Sequence, residues 1–275
     1  MKTIKKLAFV GCGKLADIVI NALIDGFLPD YALVGVMSRS KKSADAVAEK
    51  VARKLEDGIS NCAACSTMEE LLQLKPDYIV ESASPVALTE LAIPALSSGA
   101  SIIALSIGAF ADVDFYEKAK KVASENGTKI YLVSGAIGGF DVLRTTSLMS
   151  VAENYNCTAS FDTEKGPNSL KDSNVYTESL QENKKTVFKG NAIEAIKLFP
   201  TKVNVAVAAS LASVGPENMK VSITSIPNFV GDRHHIEIKN DQVKAIIDVY
   251  SETAQIAAWS VVNTLQNISS PVVFS

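Results

Sequence analysis

The feature that most constrains this chain is a glycine turn set between an apolar strand and a helix at its start. Leu7-Ala8-Phe9-Val10 is a short apolar run that stops at Gly11-Cys12-Gly13, and a helical pattern follows from Lys14 to about Asp25. The same alternation then continues. Tyr31 to Met37 reads as a strand, and Lys42 to about Leu55 as a helix with Ala44, Val47, Ala48 and Val51 on one stripe. A weak strand covers about Asn61 to Cys65, a helix Thr67 to Leu74, and a strand Tyr78 to Ala83. Pro85 opens the next helix at a position where its missing N–H costs nothing. Ser101 to Ser106 is a strand, Asp112 caps a helix that Gly127 ends, and Lys129 to Val133 is a sixth strand. Six strands with five intervening helices predict an α/β doubly wound parallel sheet with right-handed crossovers.

After Ser134 the rhythm changes. Gly138-Gly139 precedes a helix to about Val151, followed by strand-like Thr158–Thr163 and Thr186–Lys189. Two helical stretches, Ala192–Leu198 and Val203–Val214, are broken by Pro200. Lys220–Ser225, His234–Lys239 and Val243–Tyr250 complete the pattern, with a turn at Lys239-Asn240-Asp241. This predicts a smaller α+β domain with a mostly antiparallel sheet. The expected boundaries are 1–134 and 135–251, with a C-terminal helix within 252–275 packing back on the first domain.

A total of 27 Lys and Arg against 30 Asp and Glu gives a net charge of -3. No excess of positive charge is available to neutralise phosphates, so no nucleic-acid partner is expected. No apolar run approaches the roughly 20 residues that span a bilayer, so no membrane partner is expected either. The basic start, Met1 to Lys6, leads into a strand and a glycine turn instead of a signal-peptide core, which predicts a cytoplasmic protein. Cys62 and Cys65 form a C-x-x-C, but no second Cys/His pair of matching spacing accompanies them. Ser66-Thr67-Met68-Glu69 reads as a capping box, placing the pair ahead of a helix, on a buried strand, and no metal site is expected.

Gly11-Cys12-Gly13-Lys14-Leu15-Ala16 follows a strand and opens a helix, the context of a Rossmann dinucleotide turn. Gly11 permits the turn, Gly13 lets the backbone approach a pyrophosphate, and Ala16 allows close helix–strand packing. Free N–H groups at the helix start, from Lys14 and Leu15 onward, favour the anion. The second strand ends in Met37-Ser38-Arg39-Ser40 with no acid to hold a ribose 2′-hydroxyl; Arg39 and Ser38 suit a 2′-phosphate, so NADP is favoured over NAD. Ser82-Ala83 and Ser106 end later strands with short residues, where parallel sheets bind ligands. Ser134-Gly135-Ala136-Ile137-Gly138-Gly139 marks either close backbone approach to a ligand or a hinge. The two histidines are adjacent, so on a strand they point to opposite faces. His234 shares its face with Ile236 and Ile238 and is either a core histidine or a proton carrier facing a cleft; His235 reads as solvent-facing.

Together these segments resemble the L-aspartate dehydrogenase family. The resemblance runs through most of the chain, and its specific parts are Ser134-Gly135-Ala136-Ile137-Gly138-Gly139-Phe140-Asp141 and Phe199-Pro200 with Val203-Asn204-Val205-Ala206. It implies NAD(P)-dependent oxidation of the α-amino group of L-aspartate to iminoaspartate, which feeds NAD synthesis or hydrolyses to oxaloacetate and ammonia. His234 takes the position of the family's catalytic histidine, and Ala136 and Asn204 those of cofactor contacts. Asn204 also fits a helix cap after Pro200. Lys165 and Arg233 are the candidate partners for substrate carboxylates. Where the family has N-P-K-T-S, this chain has Tyr250-Ser251-Glu252-Thr253-Ala254. Where it has K-P-P, this chain has Lys165-Gly166-Pro167, and Asp232 replaces the asparagine two residues before the histidine. A homodimer is expected. The competing expectations are another Rossmann dehydrogenase or reductase with a different substrate, and a non-catalytic nucleotide sensor.

Overall fold

The computed structural model describes residues 4–55 and 61–274. Met1–Thr3, part of the basic start, and Ser275, the end of the expected last helix segment, lie outside them. The chain divides into two units by its contacts: residues up to Val133 together with those from Ala257 onward, and Ser134–Ile256.

In the first unit, strands β1 (Lys5–Val10), β2 (Tyr31–Met37), β3 (Ala63–Cys65), β4 (Tyr78–Glu81), β5 (Ser101–Ala104) and β6 (Ile130–Leu132) form one sheet ordered β3-β2-β1-β4-β5-β6. All its pairings are parallel. The order reverses beside β1, so the carboxyl ends of β1 and β4 flank the crevice where such sheets take ligands. Helices α1 (Lys14–Ile24), α2 (Lys41–Lys54), α3 (Met68–Gln73), α4 (Pro85–Ser97) and α5 (Val113–Glu125) make the crossovers. Their starts follow from local chemistry. The Ser84 hydroxyl accepts from Ala87 N at 3.1 Å ahead of Pro85, and the Asp112 carboxylate accepts from Phe115 N at 3.0 Å. The α3 cap is one residue later than the sequence suggests: Thr67 accepts from Glu70 N at 3.2 Å, and Glu70 reaches back to Ser66 N at 2.6 Å. Cys62 is half-buried and Cys65 buried, and neither is in a disulfide.

The last helix, α9 (Gln255–Ser269), starts later than Glu252 because Thr253 holds a local turn: its carbonyl accepts from Ser251 Oγ at 2.6 Å and its hydroxyl from Gln255 N at 3.3 Å. Pro271, which cannot continue a helix, follows its end. Val261 and Leu265 are fully buried with Ile20, Leu28 and Leu33 in the core of the first unit. Tyr31 donates its hydroxyl to Leu265 O at 2.7 Å, and Trp259 meets Phe27 edge-on at 5.7 Å.

The second unit carries α6 (Phe140–Glu153), β7 (Thr158–Lys165), β8 (Lys185–Asn191), α7 (Ala192–Leu198), α8 (Asn204–Leu211), β9 (Lys220–Ser225), β10 (Asp232–Lys239) and β11 (Lys244–Ser251). The sheet order is β11-β10-β7-β9-β8, with β7 and β9 parallel and the other pairs antiparallel. β9 and β10 are joined by a short connection yet do not pair, because β7 lies between them. β7 alternates buried and half-buried residues along its length, as a central strand covered on one face does. No helix among the described residues is long and apolar enough to cross a membrane.

Candidate active site

At the end of β1 the chain turns through Gly11, whose φ is +100°. A Cβ there would lie 2.8 Å from the carbonyl carbon of Ser82 and 2.9 Å from Ala83 N. The turn after β1 is thus pressed on the turn after β4, and only glycine meets both demands. Ser82 N donates to Val10 O at 2.9 Å and Ser82 Oγ to Gly11 O at 3.3 Å, so the two turns are also hydrogen-bonded. Gly13 is the N-cap of α1, offers no capping side chain, and has no heavy atom within 4 Å of where a Cβ would sit. Its backbone is open to a ligand at the positive end of a helix, which fits a pyrophosphate. Lys14 is exposed and begins the helix, whereas Leu15 is packed against the core. A cavity of about 510 Å³ lies beside the turn, bordered by Cys12, Gly13, Lys14 and, from α2, Ser43 and Lys50. Burial pushes the Cys12 thiol up to about 11, so it adds no negative charge to this anion-accepting turn near neutral pH. Ser38, half-buried, and Arg39, exposed, follow β2.

Glu81 was not singled out by the sequence as a site residue, yet it organises this end of the sheet. It is fully buried at the end of β4. Its Oε1 accepts from Ala83 N at 2.8 Å, Ser84 N at 3.0 Å and Ser106 Oγ at 2.9 Å, while Oε2 accepts from Ser106 N at 3.0 Å. One carboxylate therefore ties the Ser82–Ser84 turn to Ser106 on the neighbouring strand end. Burial raises its proton affinity, and the four donors oppose that rise. The available signal was an acid ending an apolar strand, Ile79-Val80-Glu81, directly ahead of short residues.

In the second unit the covered face of the sheet changes character along its length. Register places Val221, Phe161, Ile236 and Ile247 across one row, Ile223, Thr163, His234 and Val249 across the next, and Ser225, Lys165, Asp232 and Ser251 across the last. An apolar sheet face thus ends in a polar group. His234 is 3 % exposed and packs against Phe161 with ring centroids 5.4 Å apart and planes tilted by 34°. Burial lowers its pKa to about 4, Asp232 works against that shift, and Lys165 adds to it. The imidazole is accordingly neutral near pH 7, with a buried Nδ1 that has no hydrogen-bond partner. Thr163 Oγ1 and Ser225 Oγ are likewise buried and unpartnered. Lys165, with a side chain 4 % exposed, pairs with the 41 % exposed Asp232 at 3.2 Å.

Lys165 and His234 are therefore brought together; Arg233 is not. Its side chain points to the opposite face, because neighbours on a strand alternate. There its guanidinium is held by Asp248 at 2.7 Å and 2.9 Å, beside His235. Ala136 is half-buried in the segment before α6. Gly139, at φ +71°, would drive a Cβ to 2.6 Å from the Ile247 side chain, so packing accounts for this glycine. Asn204 is half-buried and is the first residue of α8; the cap position belongs to Val203. Among the described residues no cluster of three metal-ligating side chains occurs.

Both parts of the chain are similar to known proteins. Residues 141–268 match the family model for the C-terminal domain of aspartate dehydrogenase, and residues 11–133 that for the NAD-binding domain of homoserine dehydrogenase. The L-aspartate dehydrogenase of Methanococcus maripaludis is 32% identical over 274 residues, spanning 97% of this chain and 98% of its own. That of Methanocaldococcus jannaschii is 30% identical over the same length. The crystal structure of aspartate dehydrogenase from Thermotoga maritima superposes with a TM-score of 0.73 at 23% identity, covering 98% of this chain and 99% of its own.

Proposed function

This chain belongs to the aspartate dehydrogenase family, and from that premise we propose that it oxidises L-aspartate to iminoaspartate with a nicotinamide dinucleotide. The reaction removes a hydride and a proton from the substrate, and the imine then hydrolyses to oxaloacetate and ammonia. The bound nicotinamide supplies the hydride acceptor. We assign its holding to residues 1–134, through Gly11, Gly13, Lys14 and Leu15 at the phosphates and Ser82, Ala83 and Ser106 at the neighbouring turns. Ala136 and Asn204 are the contacts assigned from the 135–251 part.

The observation that carries the substrate side is His234, a neutral, buried imidazole with an unpartnered Nδ1, on the same sheet face as a buried lysine. A neutral imidazole can take the proton that the substrate ammonium must lose before hydride departs, and can later deliver it to the leaving amine. Lys165 is the cation assigned to a substrate carboxylate. Arg233, already bidentate to Asp248, is left out of that role. Ser38 and Arg39 favour NADP over NAD, since an exposed guanidinium beside a hydroxyl suits a 2′-phosphate. A homodimer is the proposed assembly, built on the outer sheet face that leaves Ile246 and Tyr250 exposed.

The test is the initial rate of nicotinamide reduction with L-aspartate and either NADP or NAD, and of the reverse reaction with oxaloacetate and ammonia. Turnover in both directions is expected, faster at limiting NADP than at limiting NAD. Tight cofactor binding with no turnover of aspartate in either direction would refute the assignment.

A further inference from the structure

We propose that Thr163 and Ser225 join Lys165 in a subsite for one substrate carboxylate, and that Asp232 occupies Lys165 until that carboxylate displaces it. The proposal rests on the reading of the substrate as a dicarboxylate. Its basis is the pattern on the covered face of the second sheet. Buried hydroxyls normally find partners, because one left unpaired loses its bonds to water without replacement. Here Thr163 Oγ1 and Ser225 Oγ both lack one. They are not scattered: Lys165 is in register with Ser225 on one side and Asp232 on the other, and Thr163 lies one row along, in register with His234.

The donor set matches a carboxylate. Lys165 has three N–H donors, and each hydroxyl adds one, directed at an anion with about four acceptor sites. Charge-assisted bonds of this kind are the strong ones. The ion pair is asymmetric in a way that fits exchange. Lys165 is held in place by burial, at 4 % side-chain exposure, whereas Asp232 keeps 41 % of its side-chain surface in solvent. Asp232 can swing into water at little cost, and Lys165 cannot follow it. An incoming carboxylate then replaces one partner of the lysine with another, so the buried cation is never left uncompensated. Asp232 thus gives this chain a built-in competitor for its own anion site.

The experiment is calorimetric titration of the cofactor-saturated protein with succinate, a dicarboxylate that has no amine to oxidise. Thr163→Val and Ser225→Ala should each weaken succinate about tenfold, with thermal midpoints equal to or above wild type because an unpartnered buried hydroxyl is removed. Asp232→Asn should tighten succinate several-fold, since the competitor has lost its charge. Wild-type affinity in the two hydroxyl variants, weaker or unchanged binding in Asp232→Asn, or no succinate binding by the wild type would each overturn the subsite. If aspartate is turned over while the variants bind succinate as wild type does, the subsite falls and the activity stands. If the variants behave as expected but aspartate is not turned over, the activity falls and a dicarboxylate site remains.

Discussion

Two residues show how differently single positions constrain this molecule. Gly11 is required by backbone geometry and by contact, since a Cβ would strike the Ser82–Ala83 peptide. Gly11→Ala should therefore cost about 2 kcal/mol or more and weaken binding of the reduced cofactor, read by its fluorescence on titration. Glu81 is required by its four donors. Replacement by alanine leaves Ala83 N, Ser84 N and both Ser106 groups without their acceptor, at a cost of about 3 kcal/mol or more. A lowered thermal midpoint together with weaker cofactor binding is expected; an unchanged midpoint would show that the turns hold themselves. Gly11 was legible because its chemistry is local: a strand, a glycine, a helix. Glu81 was not, because its meaning depends on Ser106, which is 25 residues away. His234 was half legible. Alternation put it on the apolar face of a strand, but its lowered proton affinity and empty Nδ1 come from neighbouring strands.

At the scale of elements, periodicity located the six strands and five crossover helices described in the first unit, since each is bounded by a glycine, a proline or a cap within a few residues, but it missed the short 3-10 helix Ile107–Ala111. The end of the chain shows what periodicity leaves out. The helical pattern continues back to Glu252, but Thr253 diverts the backbone into a turn through two short-range hydrogen bonds. The packing of α9 depends on Leu265, which is fully buried. Leu265→Ala should cost about 3 kcal/mol and lower the thermal midpoint of the protein, while leaving the outer face of the second sheet untouched. A midpoint within a degree of wild type would mean that α9 contributes little to the first unit. In the second unit the strands themselves were legible and their neighbours were not. A short connection between β9 and β10 reads as adjacency, and the insertion of β7 between them appears only in three dimensions. The rows that gather Thr163, Lys165, Ser225 and His234 follow from that insertion, which is why the hydroxyls escaped sequence reading although Lys165 and His234 did not. The same alternation that favoured His234 argues against Arg233, its neighbour, sharing its face.

For the molecule as a whole, His234 links stability to pH. Its folded pKa of about 4 lies below the ordinary histidine value of 6.5. Between those values the unfolded chain binds a proton that the folded chain does not, so stability rises with pH through that window and falls as pH drops from 6.5 towards 4. The contribution at neutral pH amounts to about 3 kcal/mol relative to pH 4 and below. Thermal midpoints measured from pH 4 to pH 7 should rise more steeply for the wild type than for His234→Gln; parallel curves would mean that the imidazole is not held neutral by burial. The same neutrality is what the proposed chemistry needs, and the central claim is that His234 moves the proton for aspartate oxidation. Its most direct test is His234→Ala, compared with wild type for the initial rate of aspartate oxidation and, separately, for the affinity of the reduced cofactor. The account predicts a fall of at least a hundredfold in rate with cofactor affinity unchanged. A variant that retains the wild-type rate would contradict it.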